Sequence, residues 1–170
     1  MVDANTGPPS TIAPVVPGYT PVGYAINGAN VVAGGAPYDC GGFTCVQPFV
    51  WSADGVALLP VTRGSPSWPV TGQARSINDA GQAVGSAYFG AYDARADLWT
   101  PNASGWKQTD LNSVLPPGSP FWRLNDAYDI NNRGQILGLG LVSSDPSFAH
   151  VFLLTPVPLP AGWGLLLVGM

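Results

Sequence analysis

The stretch Ala127–Gly138, which reads Ala-Tyr-Asp-Ile-Asn-Asn-Arg-Gly-Gln-Ile-Leu-Gly, has a close copy at Ala74–Gly85 and a more divergent one beginning at Gly23. The copies align without gaps on Ile26, Ile77 and Ile130, which are 51 and 53 residues apart. A period of that length constrains the fold more than any single residue, because each copy must form the same local unit and bury it against its neighbours.

Each copy predicts a β-hairpin. Around Ile130 the chain alternates, with Tyr128 and Ile130 on one side and Ala127, Asp129 and Asn131 on the other. The following turn, Asn131–Gly134 or Asn78–Gly81, needs a positive φ at its last residue, which glycine adopts without steric cost. In the first copy, Asn27 begins the turn and Asn30 takes the glycine's place; asparagine is the residue that next best tolerates that region. The strand then restarts and is expected to end at Gly34, Gly85 or Gly138. A calcium loop has similar oxygen spacing, but Arg133 would put a cation among the ligands, Ala80 offers no side-chain oxygen, and no bidentate Glu follows.

Beyond the first hairpin the pattern continues. An apolar strand carrying Trp51 or Trp99 follows, then a turn at Asp54-Gly55 or Ser104-Gly105, then a fourth strand. The third copy has a loop at Ser143–Pro146 and a third strand in which Leu154-Thr155-Pro156 stands where Trp99-Thr100-Pro101 stands, with no fourth strand after it. The expected organisation is a Pro-rich segment at 1–22, a three-repeat β domain at 23–156 (23–73, 74–126 and 127–156), and a Pro motif with an apolar tail at 157–170. Antiparallel hairpin repeats of about 50 residues with four strands each have the size of propeller blades, so an all-β partial propeller or open stack is expected. Unsatisfied stacking faces at its ends imply self-association.

Gly 22 and Pro 18 make up about a quarter of the chain, a level at which disorder competes with folding. Six Trp, six Tyr and a hydrophobic fraction of 46% favour a packed core. Charged residues are only 9%, the net charge is -4, and no basic cluster exists, which argues against nucleic acid as a partner. Cys40 and Cys45 flank a Gly-rich loop, with no second cysteine pair to complete a metal site, so a local disulfide is expected over free thiols. Low charge with abundant Ser, Thr, Asn and Gly fits an extracellular protein. Residues 1–21 do not form a secretory signal, which implies either a removed signal or a start within a larger protein.

The pattern Ala-x-x-Ile-Asn-x-x-Gly-Gln-x-x-Gly, the apolar-Trp strand, Asp110-Leu111-Asn112 with Leu115-Pro116-Pro117-Gly118-Ser119, and Phe152-Leu153-Leu154-Thr155-Pro156 resemble the HAF repeat of bacterial extracellular proteins, from about Gly23 to Pro156. The first copy lacks the Gly-Gln pair. The resemblance implies an exported, surface-associated protein, and it supplies no catalytic residues. Val157, Pro158, Leu159, Pro160 and Ala161, followed by an apolar run to Met170, are similar to the VPLPA form of the PEP-CTERM sorting signal, read by an exosortase in bacteria that make extracellular polysaccharide. That likeness implies a sorting enzyme as a C-terminal partner. Nine apolar residues as a helix cover about 14 Å, well short of a hydrocarbon core of about 30 Å, and a terminal apolar strand is the alternative.

No nucleophile motif is present. The one histidine, His150, lies in a predicted strand beside Phe148 and Phe152, where a structural role is expected. Asp93, Asp97, Asp110, Asp126, Asp129 and Asp145 are the carboxylates that a glycosidase-like pair would draw on. No catalytic residue, metal or cofactor is assigned. The expected function is non-catalytic surface display or assembly in an exopolysaccharide matrix. The alternative is a carbohydrate-binding module using Trp68, Trp106, Trp122, Tyr88 and Tyr92, aromatics in or beside predicted loops that would stack on sugars.

Overall fold

The computed structural model describes residues 11–12, 17–61, 71–88 and 93–157. Among these the chain is all-β, with no α-helix and one 3-10 turn at Leu111–Val114. The first sheet contains β1 (Val22–Ile26), β2 (Val32–Asp39), β3 (Thr44–Ser52) and β4 (Gly55–Leu58). The second contains β5 (Thr71–Ile77), β6 (Ala83–Tyr88), β7 (Ala94–Asn102) and β8 (Gly105–Asp110). The third contains β9 (Phe121–Ile130), β10 (Ile136–Val142) and β11 (Asp145–Leu154). Every sheet is an open antiparallel meander in which strands adjacent in sequence are paired. The expected loop at Ser143–Pro146 is shorter than that, since Asp145 already pairs with Val142.

The first hairpins share one register, with Ile26 opposite Val32, Ile77 opposite Ala83 and Ile130 opposite Ile136. Their turns explain the asparagines. The carbonyls of Asn27, Asn78 and Asn131 accept from the N–H groups of Asn30, Gly81 and Gly134 at 3.1, 3.0 and 2.9 Å. Those three residues stand at φ 60, 77 and 72°. Meanwhile the Asn131 side-chain oxygen accepts from the Arg133 and Gln135 N–H groups, and Asn27 does the same for Ala29 and Val31. A short side chain that bonds its own turn satisfies donors the ladder leaves over.

Two details differ from the sequence expectation, and they have one cause. The strands β2, β6 and β10 run on past Gly34, Gly85 and Gly138 instead of ending there. Opposite each glycine the register slips, leaving Tyr24, Arg75 and Tyr128 as bulged residues. A Cβ on these glycines would collide with the carbonyl oxygens of Val22, Gln73 and Asp126, so the glycine admits the bulge. The bulge also resets the alternation: Ala127 and Ile130, assigned to opposite sides by simple period two, both face one core cluster, as do Ala74 and Ile77.

The core lies between sheets. Ala33, Val50 and Leu59 of the first sheet's half meet Ala74, Ile77, Ala83 and Trp99 of the second. Val84, Ala96 and Leu111 then meet Leu124, Ala127, Ile130, Ile136 and Phe152 of the third. Ile77 and Ile130 are accordingly buried at 5% and 4% exposure, whereas Ile26 is 63% exposed. Identical local geometry therefore has unlike surroundings, because the face of the first sheet that carries Ile26 has no described sheet against it.

Candidate functional site

The two junctions between sheets and the grooves they leave are where side chains converge. Along the rim formed by the turns, the Asn27 side-chain amide donates to the Asn78 carbonyl at 2.9 Å, and Asn78 donates to the Asn131 carbonyl at 3.2 Å. One residue on, the Gly28 N–H donates to Asp79 Oδ1 at 2.7 Å and the Asp79 N–H to Asn132 Oδ1 at 2.9 Å. The turn residues Asn27, Asn78 and Asn131 thus form a ladder tying successive sheets together.

Charges reinforce the second junction. The bulge aims Arg75 at the third sheet, where its guanidinium binds Asp126 at 2.9 Å and lies 5.0 Å from the centre of the Tyr128 ring. Burial alone would lower the Arg75 pKa, but the hydrogen bond and charge of Asp126 outweigh it and the net displacement is upward. Ser76 Oγ donates to Asp129 Oδ1 at 2.6 Å. At the far end of the same strands, Asp93 accepts from Arg95 at 2.9 Å and from Arg123 at 2.8 Å. The Asp93 hydrogen bond is the main cause of a raised Arg95 pKa.

The carboxylates singled out in the sequence are engaged in this framework. Asp110 caps the 3-10 turn through the Asn112 N–H at 2.9 Å, Asp126 and Asp93 hold arginines, and Asp145 lies 3.5 Å from His150 Nε2. Asp97 is fully buried opposite Asp110 across β7 and β8. Residues occupied in this way hold sheets and turns together.

The proposed stacking aromatics do not form one platform. Trp106 is half-buried against the core cluster around Trp99, Tyr88 is half-buried at the end of β6, and Trp122 is exposed on β9. Trp68, Tyr92, Pro158, Leu159, Pro160 and Ala161 lie outside the described residues, while Val157, the last described residue, is exposed. A cleft of about 520 Å³ that the sequence reading missed is lined by Pro17, Tyr19, Tyr38, Asp39, Gln47 and Leu58. It adjoins the Cys40–Cys45 disulfide at the tip of the β2–β3 hairpin, where Asp39 Oδ1 accepts from the Gly41 and Gly42 N–H groups. Tyr38-Asp39 directly before Cys40 was the available signal.

A larger groove of about 770 Å³ opens at the second junction, with Leu98, Leu111, Val114, Leu154 and Pro156 on its walls and Asn132 and Arg133 at its edge. Register explains its presence. Trp99, paired with Ala83, fills the first junction and donates its indole N–H to the Pro60 carbonyl at 2.7 Å. The residue paired with Ile136 at the second junction is Leu154, which lacks the volume to do so. No family model, curated protein or solved structure matches the chain.

Proposed function

We propose that this chain is a non-catalytic repeat protein of the bacterial cell surface or exopolysaccharide matrix, its sheets being blades of a propeller-like stack that serves display and assembly. The observation that supports this reading is the shared register of the three Asn-turn hairpins and the bulge behind each, with polar side chains that bind other sheets and turns. The Cys40–Cys45 disulfide supports an oxidising location. The HAF-like motifs and the sorting-signal likeness at Val157–Ala161 support export and processing by a sorting enzyme. Trapping thiols in intact cells by alkylation, followed by mass spectrometry, should find Cys40 and Cys45 oxidised and the protein in the surface fraction. Reduced cysteines in a cytoplasmic fraction would remove the export reading.

Carbohydrate binding is the second reading, and the Tyr19–Tyr38 cleft favours it. Two tyrosines beside Asp39 and Gln47 combine flat apolar surface with hydrogen-bonding groups, the combination that sugar rings require. Affinity electrophoresis in the host's own polysaccharide should then show retardation that Tyr38→Ala abolishes and Trp106→Ala spares. Equal mobility of wild type and Tyr38→Ala eliminates this cleft.

A further inference from the structure

From the turns at Asn27, Asn78 and Asn131 to the glycines Gly34, Gly85 and Gly138 and the strand paired beyond them, the three sheets keep one register, so these positions can be compared in an internal and a terminal setting. Toward the preceding sheet point Ile77 and Ile130, both buried; their counterpart Ile26 is exposed, as is Val56 on the same face, while further along that face Phe49 is buried and Leu58 borders the Tyr19–Tyr38 cleft. Toward the following sheet point Ala33 with Val50, and Val84 with Leu98, pairs that the internal junctions cover. Their counterparts on the third sheet, Leu137 and Leu153, are 43% and 63% exposed, and neighbouring Val151 is 67% exposed. The two ends therefore present the two unlike halves of one junction.

Polar groups at the rim match in the same sense. Asn78 and Asn131 accept at their carbonyls from the preceding sheet's asparagine. At the start of the ladder, the Asn27 carbonyl accepts among the described residues only from its own turn at Asn30. At the other end, the Asn131 amide donates to Gln135 within its own turn, as Asn78 does to Gln82, and retains a second N–H of the kind that Asn78 gives to Asn131.

We propose that a second copy of this chain stacks on the first, head to tail, so that the Leu137–Leu153 face of one copy covers the Ile26 face of the next and Asn131 donates to the neighbour's Asn27 carbonyl. This rests on the reading of the sheets as stacked blades and identifies the partner in assembly. Such a contact joins unlike surfaces, so it propagates into rows unless the rotation closes a ring. It is also weaker than an internal junction. Position 28 is glycine, so the neighbour offers no side chain to accept from the Asn132 N–H as Asn132 accepts from Asp79.

Purified protein, without glycan, is examined by sedimentation over a concentration series alongside Ile26→Glu and Leu153→Glu. Wild type should show a mean mass that rises with concentration. Each variant alone should associate at least about tenfold more weakly, because a buried unpaired charge at the centre of a contact is poorly tolerated. Mixed one to one, the variants should form a dimer and nothing larger, since only one intact pair of faces remains. Monomeric wild type at every concentration overturns the proposal, as does a variant that still self-associates, which indicates like faces meeting. Val56→Glu and Val151→Glu probe the same two faces should either first variant lose its circular-dichroism signature. Association does not depend on export, so oxidised cysteines at the cell surface with monomeric protein leave the functional reading standing and remove only this inference.

Discussion

The two junctions within the chain solve one packing problem with different chemistry. Between the first and second sheets, a single indole, Trp99, fills the interior and spends its N–H on Pro60. Between the second and third, the same register position holds Leu154, a groove remains beside the apolar core around Ile130 and Phe152, and Arg75 with Asp126, Ser76 with Asp129, and Arg123 with Asp93 add polar contacts across the seam. The backbone of hairpin, bulge and turn is held constant while the side chains at the seam vary. A repeated local unit therefore does not require a repeated interface.

The contrast can be broken most severely at Trp99. Trp99→Ala should lower stability by about 3–5 kcal/mol in chemical denaturation, since it removes a fully buried ring and leaves a cavity. A loss below about 1 kcal/mol, the range of surface substitutions, would mean the first junction does not depend on its plug. Arg75→Ala tests the second junction. It strands Asp126, whose side chain is only 10% exposed, and should cost about 1–3 kcal/mol. Arg75→Lys should recover part of the loss, because one ammonium keeps the charge without the two-nitrogen contact. The gentlest change converts the second junction toward the first. Leu154→Trp should fill the groove and raise stability by about 1 kcal/mol, read as a higher denaturation midpoint. A lower midpoint would show that the groove walls do not accept the ring that the register assigns to them.

Recognition of the hairpins needed only neighbouring residues. Asn27, Asn78 and Asn131 with a residue suited to positive φ three positions later specify a turn whose hydrogen bonds close within the turn itself, so this part of the structure was readable from the chain. The Cys40–Cys45 loop was readable for the same reason. The bulges at Tyr24, Arg75 and Tyr128 were not, because a register slip belongs to two strands at once and shows in one strand only as an unremarkable alternation. Nor were the aromatics: Trp99 is core, Trp106 packs at the edge of that core and Trp122 is exposed, although all three stand in similar stretches of alternating sequence.

What the sequence by itself determined is the all-β character and the hairpins at Asn27, Asn78 and Asn131, since strand starts and turns arise from local backbone preference and hydrophobic spacing. Which unit is covered and which is left open was decided only in three dimensions. Arg75 meets Asp126 across 51 residues of chain, and Ile26 and Ile77 share a turn geometry yet differ in exposure because one has a sheet against it and the other does not. Burial is a property of the neighbour as much as of the residue, and the neighbour is supplied by the stacking of sheets.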